Sequence, residues 1–270
     1  MGTNKLAGFT IIETMLFLGI SSFLIVALIA STGNSINIQR YNDAVETFKS
    51  VLQQQYSDVT SVQNSRNDNW SCGSTASPTT TSTVKDNRGQ SSCSLVGKYI
   101  RIEDDKLSIY RVVAYENATT TNLANDIISL KDNYVLNVSQ DDVDISTMEW
   151  GTRISYPITQ GGAPYSMPQN PRKMGILIVR SPDSGQIYTF TNGDNDVPND
   201  SSIGSANLES MLVAGSTIPG QSSRLICVNS SGLLANNDRA IQLGAFASGS
   251  SAVEMQTNDY LISQASAYKC

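Results

Sequence analysis

From Phe9 to Ala30 the chain carries one formal charge, Glu13, in 22 residues that are otherwise uncharged and mostly apolar. Wound as an α-helix, that run is ~33 Å long, which matches the hydrocarbon core of a bilayer. A carboxylate in lipid costs on the order of 3 kcal/mol on insertion scales. An acid inside such a span therefore marks a functional position and needs a partner.

The start of the chain supplies one. Met1 to Gly8 is short and polar, with a single basic residue, Lys5. A secretory signal places its apolar core before the cleavage site. Here the candidate cleavage site, between Gly8 and Phe9, precedes the apolar run, so cleavage would leave the run in the mature protein. Cleavage would also expose a new amine on Phe9, one helical turn from Glu13. Amine and carboxylate can then neutralise each other between neighbouring, axially staggered chains.

The stretch Gly8-Phe9-Thr10-Ile11-Ile12-Glu13 resembles the processing motif of type IV prepilins and type II secretion pseudopilins. The resemblance implies that a prepilin peptidase cuts after Gly8 and methylates Phe9, and that Glu13 serves in subunit recruitment and filament packing. It implies as partners other pilin subunits, the membrane, an inner-membrane platform protein and an assembly ATPase. The short leader is similar to that of the type IVa class. Many major pilins carry a proline in the apolar span, where the helix can melt. This chain has none there, and Gly19 is the only obvious weak point. A large head suits a minor subunit, which primes assembly or sits at the tip; the alternatives are a major pilin, a pseudopilin of a type II secretion or competence machine, a tip-located adhesive or binding module, and a membrane-anchored exported protein that never polymerises. The stretch Ile226-Cys227-Val228-Asn229-Ser230-Ser231-Gly232 is similar to the C-terminal hairpin of H-type minor pseudopilins, in which paired sheets sit on the helix.

Composition narrows the chemistry. The net charge is −6 and the pI is near 4.7, which argues against nucleic acid as a partner. There is no histidine, so the commonest general base and metal ligand are missing. No nucleophile-elbow, phosphate-loop or zinc-helix motif occurs. The expectation is a non-enzymatic protein without a cofactor. Asp194, Asp196 and Asp200 in the acidic loop 193–200 are weak calcium candidates, because the spacing lacks the glycine and closing glutamate of an EF-hand. Glu103-Asp104-Asp105 and Asp141-Asp142-Val143-Asp144 read as turns.

Four cysteines lie beyond the apolar run, and an even count in an exported domain reads as disulfides. Three pairings exist. Cys72–Cys93 and Cys227–Cys270 are favoured because each closes a local loop, and the second would pin the C-terminus.

The expected fold is α+β: a long N-terminal helix, transmembrane then amphipathic, packed against an antiparallel β-sheet or a two-sheet β-sandwich head. Residues 1–8 form the leader, 9–30 the span, 31–64 an amphipathic continuation and 65–270 a β-rich head. Ile38, Tyr41, Val45, Phe48, Leu52, Tyr56, Val59 and Val62 recur every three or four residues and form the docking stripe. Ser71 to Thr83 reads as a loop. From Leu95 the period becomes two, with strands at 96–102, 107–115, 134–138, 153–157, 175–180, 186–191, 225–229, 240–246 and 252–256. Pro182 and Gly185 place a hairpin turn between the fifth and sixth of these. A short helix is expected over 206–213.

Overall fold

The computed structural model describes residues 10–61, 71–79, 91–118, 126–159, 172–193, 196–212, 225–230, 238–244, 248–263 and 268–270. Its elements run α1 (Ile11–Thr60), β1 (Ser71–Cys72), β2 (Pro78–Thr79), β3 (Cys93–Glu103), β4 (Lys106–Glu116), α2 (Asp126–Asn133), β5 (Tyr134–Thr147), β6 (Arg153–Ser155) and β7 (Ile158–Thr159). They continue through β8 (Lys173–Arg180), β9 (Ile187–Gly193), α3 (Ser205–Met211), β10 (Leu225–Asn229), β11 (Arg239–Leu243), β12 (Val253–Thr257), α4 (Asn258–Ser263) and β13 (Tyr268–Lys269). The fold is α+β, a long N-terminal helix with antiparallel sheets.

The helix α1 runs unbroken across Gly19 and Gly33. Its C-terminal half carries the expected stripe: Tyr41, Val45, Phe48, Leu52, Tyr56 and Val59 are all buried, joined by Ala44. Ile38 is the exception and stays exposed, one turn short of the head. Val62 lies outside the described residues.

Two antiparallel sheets share the core that this stripe enters. One has five strands in the order β5-β4-β3-β8-β9, and the other four in the order β12-β11-β10-β6. Ile100, Ile102, Leu107, Ile109, Met174, Ile176 and Ile178 come from the first sheet; Ile154, Ile226, Val228, Ile241, Leu243 and Val253 come from the second. These are β-branched and aliphatic residues at alternate positions, as a sheet with one face on a helix requires. The opposite face of the five-stranded sheet buries a second cluster under α2 and α3, including Leu130, Leu208, Met211 and Leu212. Because both faces of its central strands are covered, β3 and β8 are buried along most of their length, and β3 takes Lys98 and Arg101 into the interior with it.

Turns behave as their residues dictate. Glu103 pairs with Lys106 across the two-residue turn Asp104-Asp105, and Asp104 adopts φ 59, a left-handed geometry that Asp tolerates. Gly185 has φ 74 in the β8–β9 hairpin, whose turn is closed by Ser181 N–H to the Gln186 carbonyl at 2.8 Å. The run from Asp141 to Asp144 is a correction: it lies inside β5 and makes no chain reversal. Residues 139–142 bulge out where the pairing steps from Tyr110↔Val143 to Val112↔Val138, so the strand absorbs the polar residues without ending.

Both disulfides form with the expected pairing, Cys72–Cys93 and Cys227–Cys270, with Cα–Cα separations of 5.9 Å and 5.3 Å. The second ties the end of the chain to the middle of β10. It is supported by the Cys270 N–H donating to Asn258 Oδ1 at 2.8 Å and by the pairing of β13 with β7.

Candidate functional site

Among the described residues, none of the head packs over the N-terminal half of α1. Ile11 and Ile12 are about three-quarters exposed (76% and 77%), and large apolar side chains remain exposed through Phe17, Phe23, Leu28 and Ile36 to Ile38. From Ile11 to the first buried residue, Tyr41, the helix projects ~45 Å at 1.5 Å per residue. It is long and apolar enough to cross a membrane, and none of its apolar window is covered by the rest of the chain. A soluble domain does not leave so large an apolar surface in water without a partner.

Several hydroxyls on this arm bond the helix's own backbone. Thr14 donates to the Ile11 carbonyl at 2.9 Å, Ser22 to Leu18 at 2.7 Å, and Thr32 to both Leu28 and Ile29 at 3.0 Å. Polar side chains that bond their own backbone can enter an apolar medium without an orphaned donor. Glu13 has no such internal solution. Its carboxylate makes no ion pair among the described residues and is exposed.

The Glu13 backbone is held more firmly. Thr10 caps α1, its Oγ1 accepting from the Glu13 N–H at 3.3 Å. Thr10 to Glu13 is thus a T-x-x-E capping signal, which the sequence analysis passed over. The cap places the acid in the first turn, where the positive end of the helix dipole favours a carboxylate. Gly8 and Phe9 lie outside the described residues.

No match to this chain was found among protein families, characterised proteins or solved structures. The chemistry must therefore be read from the side chains themselves.

The described residues of the acidic loop are engaged with the protein itself. Asp194 lies outside the described residues. Asp196 gives its backbone carbonyl to Asn192 Nδ2 at 2.8 Å. Asp200 meets Arg101 Nη1 at 3.2 Å, Lys106 Nζ at 3.0 Å and the Tyr110 hydroxyl at 2.8 Å. Among the described residues, no group of three or more potential ligands converges to hold a metal. Burial raises the Asp200 pKa, but hydrogen bonds from Lys106 and Tyr110 and the charge of Arg101 outweigh it and hold the carboxyl below its ordinary value. The buried Arg101 guanidinium also binds Glu103 at 2.6 Å, and its Nε donates to the Pro198 carbonyl at 2.8 Å. Asp200 thus anchors the loop to β3 and β4 through cations.

At the root of the arm, Tyr41 joins the helix to the C-terminal hairpin. Its hydroxyl donates to the Val228 carbonyl at 2.7 Å and accepts from the Arg239 N–H at 2.6 Å. Val228 and Arg239 are the last partners of the β10–β11 ladder. Burial pushes the Tyr41 pKa well above its ordinary value, so the hydroxyl stays neutral and keeps both bonds.

Proposed function

We propose that this chain is a non-enzymatic minor subunit of a type IV pilus-like filament, acting in assembly initiation or at the tip. The observation that carries the reading is the division of α1. One half is an uncovered apolar arm with one carboxylate near its start, and the other half is built into a folded head. An apolar arm with a rigid head at one end suits a subunit that waits in a membrane and then packs its arm against those of its neighbours.

In this reading the arm first spans the cytoplasmic membrane with Lys5 on the inner side, following the positive-inside bias, and the head lies outside, where its disulfides form. The prepilin peptidase cuts after Gly8 and Phe9 is methylated. Glu13 then pairs with the Phe9 amine of a neighbouring chain, which neutralises two charges that are each costly in lipid. The platform protein and the ATPase extract the subunit, and the head is displayed at the cell surface.

The deciding experiment is N-terminal and intact mass spectrometry of protein sheared from cells, quantified against the other fibre subunits. A start at methylated Phe9 in trace amounts supports the minor subunit. The same start as the dominant species makes it the major subunit. A start at Met1, found in membranes alone, overturns the filament reading.

A further inference from the structure

Where the arm meets the head, an aromatic side chain is held in solvent by a fixed turn. Trp150 is 51% exposed and adopts φ 56, ψ 26, a left-handed conformation that bulky residues rarely take. Gly151 follows with φ 71. The turn is well anchored on both sides. Met148 is buried in the central core, and its N–H donates to the Asp105 carbonyl at 2.7 Å. Thr152 is fully buried, and its hydroxyl donates to the Glu149 carbonyl at 2.8 Å. A flexible loop could fold its indole inward, whereas this one presents it outward.

The indole faces the base of the arm. The Arg40 guanidinium lies 4.7 Å from its ring centre, and Arg40 directly precedes Tyr41, the first helix residue in the core. Ile36 and Ile38, just below, are exposed apolar residues on the same helix. Arg40 is ten residues past Ala30, which is ~15 Å along the axis. Helical side chains lean toward the N-terminus, and a snorkelling arginine reaches ~6 Å. The guanidinium then stands ~9 Å above the end of the apolar run, against a headgroup layer ~5–7 Å deep. That is ~2 Å beyond the layer, so the guanidinium meets its outer surface from above; tryptophan is enriched at membrane–water interfaces, and long basic side chains are favoured there.

We infer that Trp150 and Arg40 form a membrane-seating contact that rests the head on lipid headgroups while the arm still spans the bilayer. The inference rests on the membrane-spanning reading of the arm. Arg40 offers donors to phosphate oxygens, and the indole offers an apolar ring with one N–H to the boundary region. Glu149 precedes Trp150 in the chain, and one acid with one base at this end of the head suits zwitterionic rather than strongly anionic headgroups. The contact fixes the tilt of the head on the membrane before assembly and is released when the subunit leaves the membrane.

The test uses the full chain with Trp70→Phe (or Trp70→Tyr if Phe is not tolerated), which leaves Trp150 as the one tryptophan. The protein is reconstituted into phosphatidylcholine vesicles carrying a nitroxide either on the headgroup or at mid-chain, and flotation is measured alongside. The expected result is flotation, with Trp150 emission quenched about twofold more by the headgroup nitroxide, and loss of that difference in Arg40→Ala. Flotation without quenching overturns the seating contact while leaving the spanning arm intact. A concentration-dependent blue shift without quenching also overturns it, since a second copy would then be covering the indole. Failure to float removes the spanning reading and the seating contact together.

Discussion

The two halves of α1 have the same backbone and opposite surroundings. From Tyr41 to Val59 the apolar side chains are buried against two sheets, while from Ile11 to Ile38 the large apolar side chains stay exposed. Helix formation therefore does not distinguish the halves; the environment does. The docked half stabilises the head from within the chain. The arm contributes nothing to the head's stability and must gain its own stability from lipid or from other helices. Mutations in the two halves should accordingly fail in different assays.

The largest separation is expected at Glu13. Glu13→Ala should leave the melting temperature of the head unchanged and strongly reduce incorporation into sheared fibres; normal incorporation would falsify the pairing with the Phe9 amine. A matched pair of leucines sharpens the contrast. Leu52 is 1% exposed and Leu24 is 56% exposed. Leu52→Ala should cost about 3 kcal/mol, within the range for buried leucines, whereas Leu24→Ala should stay within about 0.5 kcal/mol. Denaturant titration of both variants in detergent measures the difference, and equal losses would mean that the arm is not separate from the head.

A smaller effect is expected at the boundary between the halves. Tyr41→Phe keeps the packing but strands the Val228 carbonyl and the Arg239 N–H, at a cost of about 1–3 kcal/mol. Hydrogen exchange should show the β10–β11 hairpin opening more readily, with the five-stranded sheet unaffected. Uniform loss of protection would mean that Tyr41 supports the whole core.

Acid should act on the head alone, and mildly. Asp200 and Glu103 are both held below their ordinary pKa values. For Glu103, burial pulls upward, and hydrogen bonds from Arg101 and Lys173 outweigh it. With depressed folded values, the stabilisation is present above the unfolded carboxylate range, near pH 4, and is lost as pH falls below it. Both groups are about one-third exposed, so solvent screening keeps the effect small. A melting temperature that falls between neutral pH and pH 3, with the fall reduced in Asp200→Asn, is the expected outcome; an unchanged profile in that variant would remove Asp200 from the ion-pair network.

Much of this architecture was legible because it is periodic. The docking stripe repeats every three or four residues, and each of the nine expected stretches contains a strand, because runs of β-branched and aromatic residues such as Leu107–Tyr115 and Gly175–Arg180 mark them; 153–157 ends early at Ser155, 240–246 leaves the strand after Leu243, and 245–246 lie outside the described residues. Elements without periodicity escaped. The helices α2 and α4 span only eight and six residues, about two turns each, too short for a three-to-four-residue repeat to declare itself. The extension of β5 past Val138 escaped because Asp141 and Asp142 read as a break, whereas the bulge lets pairing resume at Val143. The small pairings β1–β2 and β7–β13 are two residues each, too short for any pattern.

The sequence by itself determined the charge-poor span, its solitary acid and the helix that continues into a stripe, and it favoured two local loops among the three pairings of four cysteines. These are properties of neighbours along the chain, and spacing records them. Only the tertiary structure decided that Asp200 is held by Arg101 and Lys106, that Tyr41 closes the end of a strand ladder, and that Trp150 stands out beside Arg40. Each of these depends on residues from roughly ninety to two hundred positions apart being brought within a few ångströms, and no local propensity encodes which side chains the packing of a core will place together.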